Sequence, residues 1–267
     1  MSTFDLPFPA EGLDPAKMPG HWLLARLGKR VLRPGGIELT REMLRGLAIY
    51  TDDDVVEFAP GLGTTARLTL QLSPRSYTAI DRDEGAVAQV QSILKGPLQR
   101  CRIGLAHETG LPSSSATVVY GEAMLTMLTP QMKRQTVREA FRCLSSGGRY
   151  GLHEMTLVPD DLSDEQKDEI QRELSAVIRV GARPLTQQEW RELLESEGFI
   201  IERCATAPMH LLKTVRLIQD EGLGGALRIA WNTLKDPVAL KRVLDMRKVF
   251  LKYEAQLGAM ALVARKP

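Results

Sequence analysis

The chain has 267 residues, 43% hydrophobic and 25% charged, which excludes a disordered or fibrous protein and leaves enough length to bury most of its surface. Lys and Arg total 35 against 33 Asp and Glu, so a net charge of +2 offers no footprint for nucleic acid, and none is expected as a partner. Cys101, Cys143 and Cys204 stand far apart with no Cys-x-x-Cys pair, which argues against a disulfide framework or metal spacing and for a reducing, cytoplasmic setting.

The first twenty residues carry Pro7, Pro9, Pro15 and Pro19 and read as an extended arm. They lack the pattern of a signal peptide, and no later apolar run is long enough to span a bilayer, so no membrane association is expected. Residues 21–32 have helical apolar spacing, RPGG at 33–36 interrupts it, and Thr40 is placed to cap a second short helix bearing Met43, Leu44 and Leu47. Residues 1–54 therefore read as an arm with helices ahead of the first strand. Beyond them, short β-rich runs alternate with amphipathic helices, the pattern of a mostly parallel sheet covered on both faces. Strands are predicted at 55–59, 76–80, 100–104, 116–121, 148–154, 200–206 and 257–265. Asp83 caps a helix bearing Val87 and Val90, and Pro130 opens one bearing Val137 and Phe141. Ser163 with Gln166, and Thr186 with Glu189, form capping boxes, the second helix stopping at Gly198. Residues 207–254 form a helical insert, broken by GLGG at 222–225 and restarted by Asp236 and Pro237. The fold class is a single Rossmann-like α/β domain over residues 55–267, with a seven-stranded sheet and the insert before its last strand.

The stretch VVEFAPGLGTTARL (55–68) runs from an apolar strand through a tight turn into a helix. A backbone that turns sharply and approaches a ligand closely needs residues without side chains, here Gly61 and Gly63. In open parallel sheets this first strand-to-helix turn is the usual ligand contact. SYTAID (76–81) reads as the second strand, ending in Asp81, whose carboxylate one βαβ unit would bring beside the turn to accept both hydroxyls of a ribose. The same two features also fit a dinucleotide site.

Four stretches, in order, resemble the class I S-adenosylmethionine-dependent methyltransferases: EFAPGLG (57–63), AIDRD (79–83), GLAHETGLP (104–112) and RCLSSGGRYGLHEM (142–155). The resemblance implies S-adenosylmethionine as cofactor, with Glu57, Phe58, Ala59, Pro60, Gly61 and Gly63 on the methionine and loop side. Asp81 and Arg82 would serve the ribose and adenine side, and Ala106 with His107 the adenine edge. Ala59 stands where the family usually has glycine, and Leu105 where it usually has an acid after its glycine.

The cofactor's sulfonium makes its methyl group electrophilic, so the protein needs mainly to align an acceptor and exclude water, and no metal is required. Glu122, after the fourth strand, and His153, near the end of the fifth, are the candidate acceptor-side groups, His153 as a base for a protonated acceptor. Met124, Met127 and Met132 read as core or pocket lining, and the insert is placed to cover a substrate pocket. The expected activity is metal-free methyl transfer to a small-molecule acceptor. A nicotinamide-dependent oxidoreductase and a non-catalytic module binding the same cofactor stay open, as does a homo-oligomeric assembly.

Overall fold

Helices α1 (Gly20–Arg26) and α2 (Gly36–Leu47) precede the first strand. The computed structural model describes residues 7–267, and the first six residues of the predicted arm lie outside the described residues. Helix α1 is shorter than the predicted 21–32, because Gly28 takes φ 108° and turns the chain away from the helix axis. The expectation that Thr40 caps α2 is corrected: Gly35, at φ 74°, occupies the cap position, and Thr40 lies buried inside the helix.

Eight strands form one sheet: β1 (Asp54–Phe58), β2 (Ser76–Asp81), β3 (Gln99–Ile103), β4 (Ala116–Glu122), β5 (Leu144–Leu157), β6 (Leu185–Thr186), β7 (Ile200–Pro208) and β8 (Leu257–Arg265). Their order is β3-β2-β1-β4-β5-β8-β7, with β6 pairing β5 off this path. Strands β1 to β6 pair in parallel, whereas β8 runs antiparallel to both β5 and β7. The predicted seven strands are present. The added β6 spans two residues, too few to show a period-two signal.

Alternation along each strand sorts side chains between two cores. Val56 and Phe58 of β1, with Met260, Leu262 and Ala264 of β8, face a core closed by α5 (Pro130–Cys143) and α7 (Gln187–Ser196). Val55 and, from β8, Ala259, Ala261 and Val263 face the opposite side, covered by α2, α3 (Thr64–Gln71) and α4 (Glu84–Gln91). The capping residues hold as the sequence suggests: Asp83 accepts from the Ala86 N–H at 2.9 Å, and the Ser163 and Thr186 boxes close in both directions.

A third apolar cluster joins α1, α6 (Asp164–Ile178) and α9 (Pro237–Lys252) beyond the carboxyl ends of the strands. Helix α8 (Thr214–Lys235) kinks at Gly222, whose φ of 72° breaks the helical run, and Asp236 caps α9 through the N–H groups of Val238 and Ala239. Just before the kink, Asp220 and Glu221 pair with buried Lys29, and Glu221 also accepts from the N–H groups of Arg30 and Val31. Among the described residues, no helix is long and apolar enough to cross a membrane.

Because β8 is flanked on both sides by β5 and β7 and Leu262 is fully buried, Leu262→Ala should lower the unfolding free energy by about 2–5 kcal/mol, read from urea denaturation.

Candidate functional site

The strand order reverses between β1 and β4, and beyond the carboxyl ends of these strands lies a cavity of about 570 Å³. One side is formed by the turn from β1 to α3. Here Ala59, Gly61 and Gly63 all adopt positive φ, at 52°, 56° and 70°. At Ala59 this conformation costs a residue with a Cβ about 1 kcal/mol. The Ala59 N–H donates to the Ile80 carbonyl at 2.8 Å and the Gly63 N–H to the Pro60 carbonyl at 3.0 Å, fixing the turn. A Cβ on Gly63 would stand 3.2 Å from Ile93, so the turn is closed on that flank.

Asp81 ends β2 beside this turn. It accepts from the N–H groups of Gly61 at 3.1 Å and Asp83 at 3.0 Å, and burial raises its carboxyl above the ordinary range. Ala59, Pro60, Gly61, Asp81, Arg82, Ala106 and His107 all border the cavity, so the turn, the end of β2 and the segment after β3 converge there. Phe58 does not: it is fully buried in the core with Val56, which corrects its placement on the cavity side. Helix α1 adds residues that sequence reasoning did not single out. Trp22 packs toward Gly61, and burial, helped by Arg82, lowers the His21 imidazole to about 4.

Glu57 borders the cavity but its carboxylate is engaged underneath. It accepts from the phenols of Tyr77 at 2.5 Å and Tyr120 at 2.7 Å, and burial pushes it up to about 7 despite those bonds.

The two candidate acceptor-side residues belong to one buried cluster. Glu122 pairs with Arg33, accepts from the hydroxyls of Thr65 and of Thr40, the latter at 2.6 Å, and lies 2.7 Å from His153 Nδ1. Burial opposes this charge, but the Arg33 guanidinium and the hydrogen bonds hold Glu122 well below the usual carboxylate range. The other ring nitrogen of His153, Nε2, lies 2.7 Å from the Pro34 carbonyl, and the ring is fully buried away from the cavity. The expectation of His153 as a base facing an acceptor is therefore corrected, since both nitrogens are occupied. Arg33 and Thr65 were not legible as members of the cluster: one sits in a turn, the other on a helix, with no spacing that links either to β4. Arg33 borders the cavity, and its Nε is one of two buried side-chain polar atoms without a partner among the described residues.

Glu154, next along β5, accepts from the N–H groups of Met124, Leu125 and Thr126 at 2.8, 2.6 and 3.1 Å and from the Thr126 hydroxyl at 2.8 Å. It shapes the segment after β4, and Met124, Met127 and Met132 on and after that segment border the cavity.

Two outcomes follow from these buried charges. Arg33→Met leaves Glu122 without its cation and should cost about 3–5 kcal/mol of stability in urea denaturation. Glu57 keeps its proton in the native state up to about pH 7, whereas the unfolded chain releases it near about pH 4.3, so stability should fall as pH rises through that window. Glu57→Gln, which does not titrate, should flatten the fall when urea midpoints are compared across it.

Residues 56–152 match the family described as methyltransferase domain. A protein of Haemophilus influenzae, described only as uncharacterized, is 32% identical over 253 residues, covering 92% of this chain and 98% of that protein. Among solved structures, the [4+2]-cyclase SpnF is 16% identical with a TM-score of 0.70, covering 92% of both chains. Phosphoethanolamine N-methyltransferase 2 of Haemonchus contortus, in complex with S-adenosyl-L-methionine, is 16% identical with a TM-score of 0.68, covering 93% of this chain and 57% of that one. The chain thus carries a methyltransferase domain over residues 56–152, the stretch that holds the glycine turn and Asp81 on which its resemblance to the class I S-adenosylmethionine-dependent methyltransferases rests.

Proposed function

We propose that this protein transfers a methyl group from S-adenosylmethionine to a small-molecule acceptor, without a metal. The observation that carries the reading is one continuous cavity with two unlike ends, a polar one at the glycine turn and Asp81 and an apolar one among the added helices. The residues present suit the cofactor. Asp81 is a buried carboxylate with its two backbone bonds in place, and an acceptor of this kind can take further bonds from two ribose hydroxyls. The turn at Ala59 to Gly63 would follow the methionine moiety, Arg82 the ribose and adenine, and Ala106 with His107 the adenine edge. The Arg33 guanidinium, at the border of the cavity, is a donor group suited to the carboxylate of the methionine moiety.

When bound, the cofactor supplies a sulfonium-activated, electrophilic methyl group. The chain's own contribution is to hold the acceptor in line and to exclude water. Residues 7–54 and the insert 207–254 do the latter in this reading, since Trp22, Leu24, Leu211, Met246 and Phe250 line the cavity. Glu122 acts as a positioning residue: its bonds to Arg33 and Thr40 seat the N-terminal segment over the ends of β4 and β5. Neither Glu122 nor Glu154 serves as a free base, because hydrogen-bond donors already occupy both.

Calorimetric titration tests the reading directly. S-adenosylmethionine and S-adenosylhomocysteine should bind and NADH should not. Asp81→Ala should weaken both sulfur nucleosides about a hundredfold, the worth of two bonds to a charged group at about 1.5 kcal/mol each. Binding of NADH alone would overturn the assignment in favour of an oxidoreductase.

A further inference from the structure

The far end of the cavity is built mostly by helices outside the sheet, with Leu24 of α1, Leu174 and Ile178 of α6, and Met246 and Phe250 of α9, joined by Met155 near the end of β5. All six are apolar, and all belong to or pack against the third hydrophobic cluster. The charged side chains that border the cavity lie at its other end or are already satisfied. Glu57 is bonded to two tyrosines, Glu122 to Arg33, and Glu154 to four donors. On α9, Arg242, one turn before Met246, is buried and gives its guanidinium to the carbonyls of Pro15, Met18 and Val177 at 2.8, 2.5 and 3.3 Å. Lys133 is likewise buried and donates to the Arg183 carbonyl.

A charged acceptor entering such a chamber would leave water with no counter-charge to meet it, a loss of several kcal/mol. A neutral apolar one gains from the burial of its surface against methionines, which adapt to irregular shapes. We infer that the methyl acceptor is an uncharged, predominantly apolar molecule, held by the chamber between α1, α6 and α9. The inference deepens the methyltransferase reading and rests on it for the word acceptor, but the chamber's preference for neutral ligands stands apart from any nucleoside.

The test compares two probes of one size, 2-naphthol and 2-naphthoate at pH 7, titrated calorimetrically into the full chain with and without S-adenosylhomocysteine. 2-Naphthol should bind at least about tenfold more tightly than 2-naphthoate in both settings. Ile178→Glu, at a half-buried position, should lower 2-naphthol affinity by a similar factor while S-adenosylhomocysteine binds as before. Equal or tighter binding of 2-naphthoate, or no binding of 2-naphthol, would overturn the inference. The wild-type comparison decides alone if the variant does not fold. Failure of S-adenosylhomocysteine to bind, with the preference for 2-naphthol intact, would count against the methyltransferase reading and leave the chamber's selectivity standing.

Discussion

The buried pair of Arg33 and Glu122 is the constraint on which the arrangement of this site depends. Two ions taken out of water cost several kcal/mol each, and the cost is met only where additional donors complete the coordination. Here those donors come from different elements. Thr40 belongs to α2, Thr65 to α3, His153 to β5, and Arg33 to the turn between α1 and α2. A single carboxylate at the end of β4 thereby sets the distance between the sheet and the segment that roofs the cavity. Farther along that segment, the Ala10 N–H reaches Asp83 at 3.3 Å, so the roof is tied at both ends.

Much of the scaffold was legible because its signals are local. Capping boxes at Ser163 and Thr186, the cap at Asp83 and Pro130 at a first helical position each identify a helix start within a few residues, and all four stand as read. The turn at 59–63 and Asp81 were legible for a similar reason, since one βαβ unit fixes their relation. Thr40 and His153 show where this reasoning stops. A threonine three residues before Met43 looks like a cap, and a histidine at a strand end looks like a base. Both are instead partners of Glu122, and no sequence spacing records that they meet. The apolar chamber was illegible for the same cause. Its wall is assembled from side chains that read individually as helix core, and only their failure to fill the space between α1, α6 and α9 makes a site.

The two ends of the cavity have different structural origins. The polar end is formed by the sheet itself, which this chain shares with proteins of low identity, among them one whose name is that of a cyclase. Likeness at that level concerns the fold alone, and chemistry resides in what is added to it. In this chain the additions are pinned to one another as well as to the sheet. Lys29, after α1, meets Asp220 and Glu221 of α8, and the Ile37 N–H at the start of α2 also donates to Asp220 at 3.1 Å. The N-terminal helices and the insert thus form one cover rather than two independent flaps.

The position of β8 carries a consequence for the order in which this molecule can assemble. In the sheet, β7 has β8 as its neighbour, and β8 in turn lies against β5. Strand β7 therefore cannot join the sheet until residues 257–265 have inserted beside it, although it precedes them by the whole length of α8 and α9. The stretch from β7 to β8 must wait as a long, unclosed loop whose ordering entropy is met only when β8 inserts, whereas β6 pairs with β5 directly. The polar half of the cavity, by contrast, needs only β1, β2 and their near neighbours. Synthesis from the amino terminus would then complete the polar end of the cavity first and its apolar chamber last, so that one cavity is finished in two acts far apart along the chain.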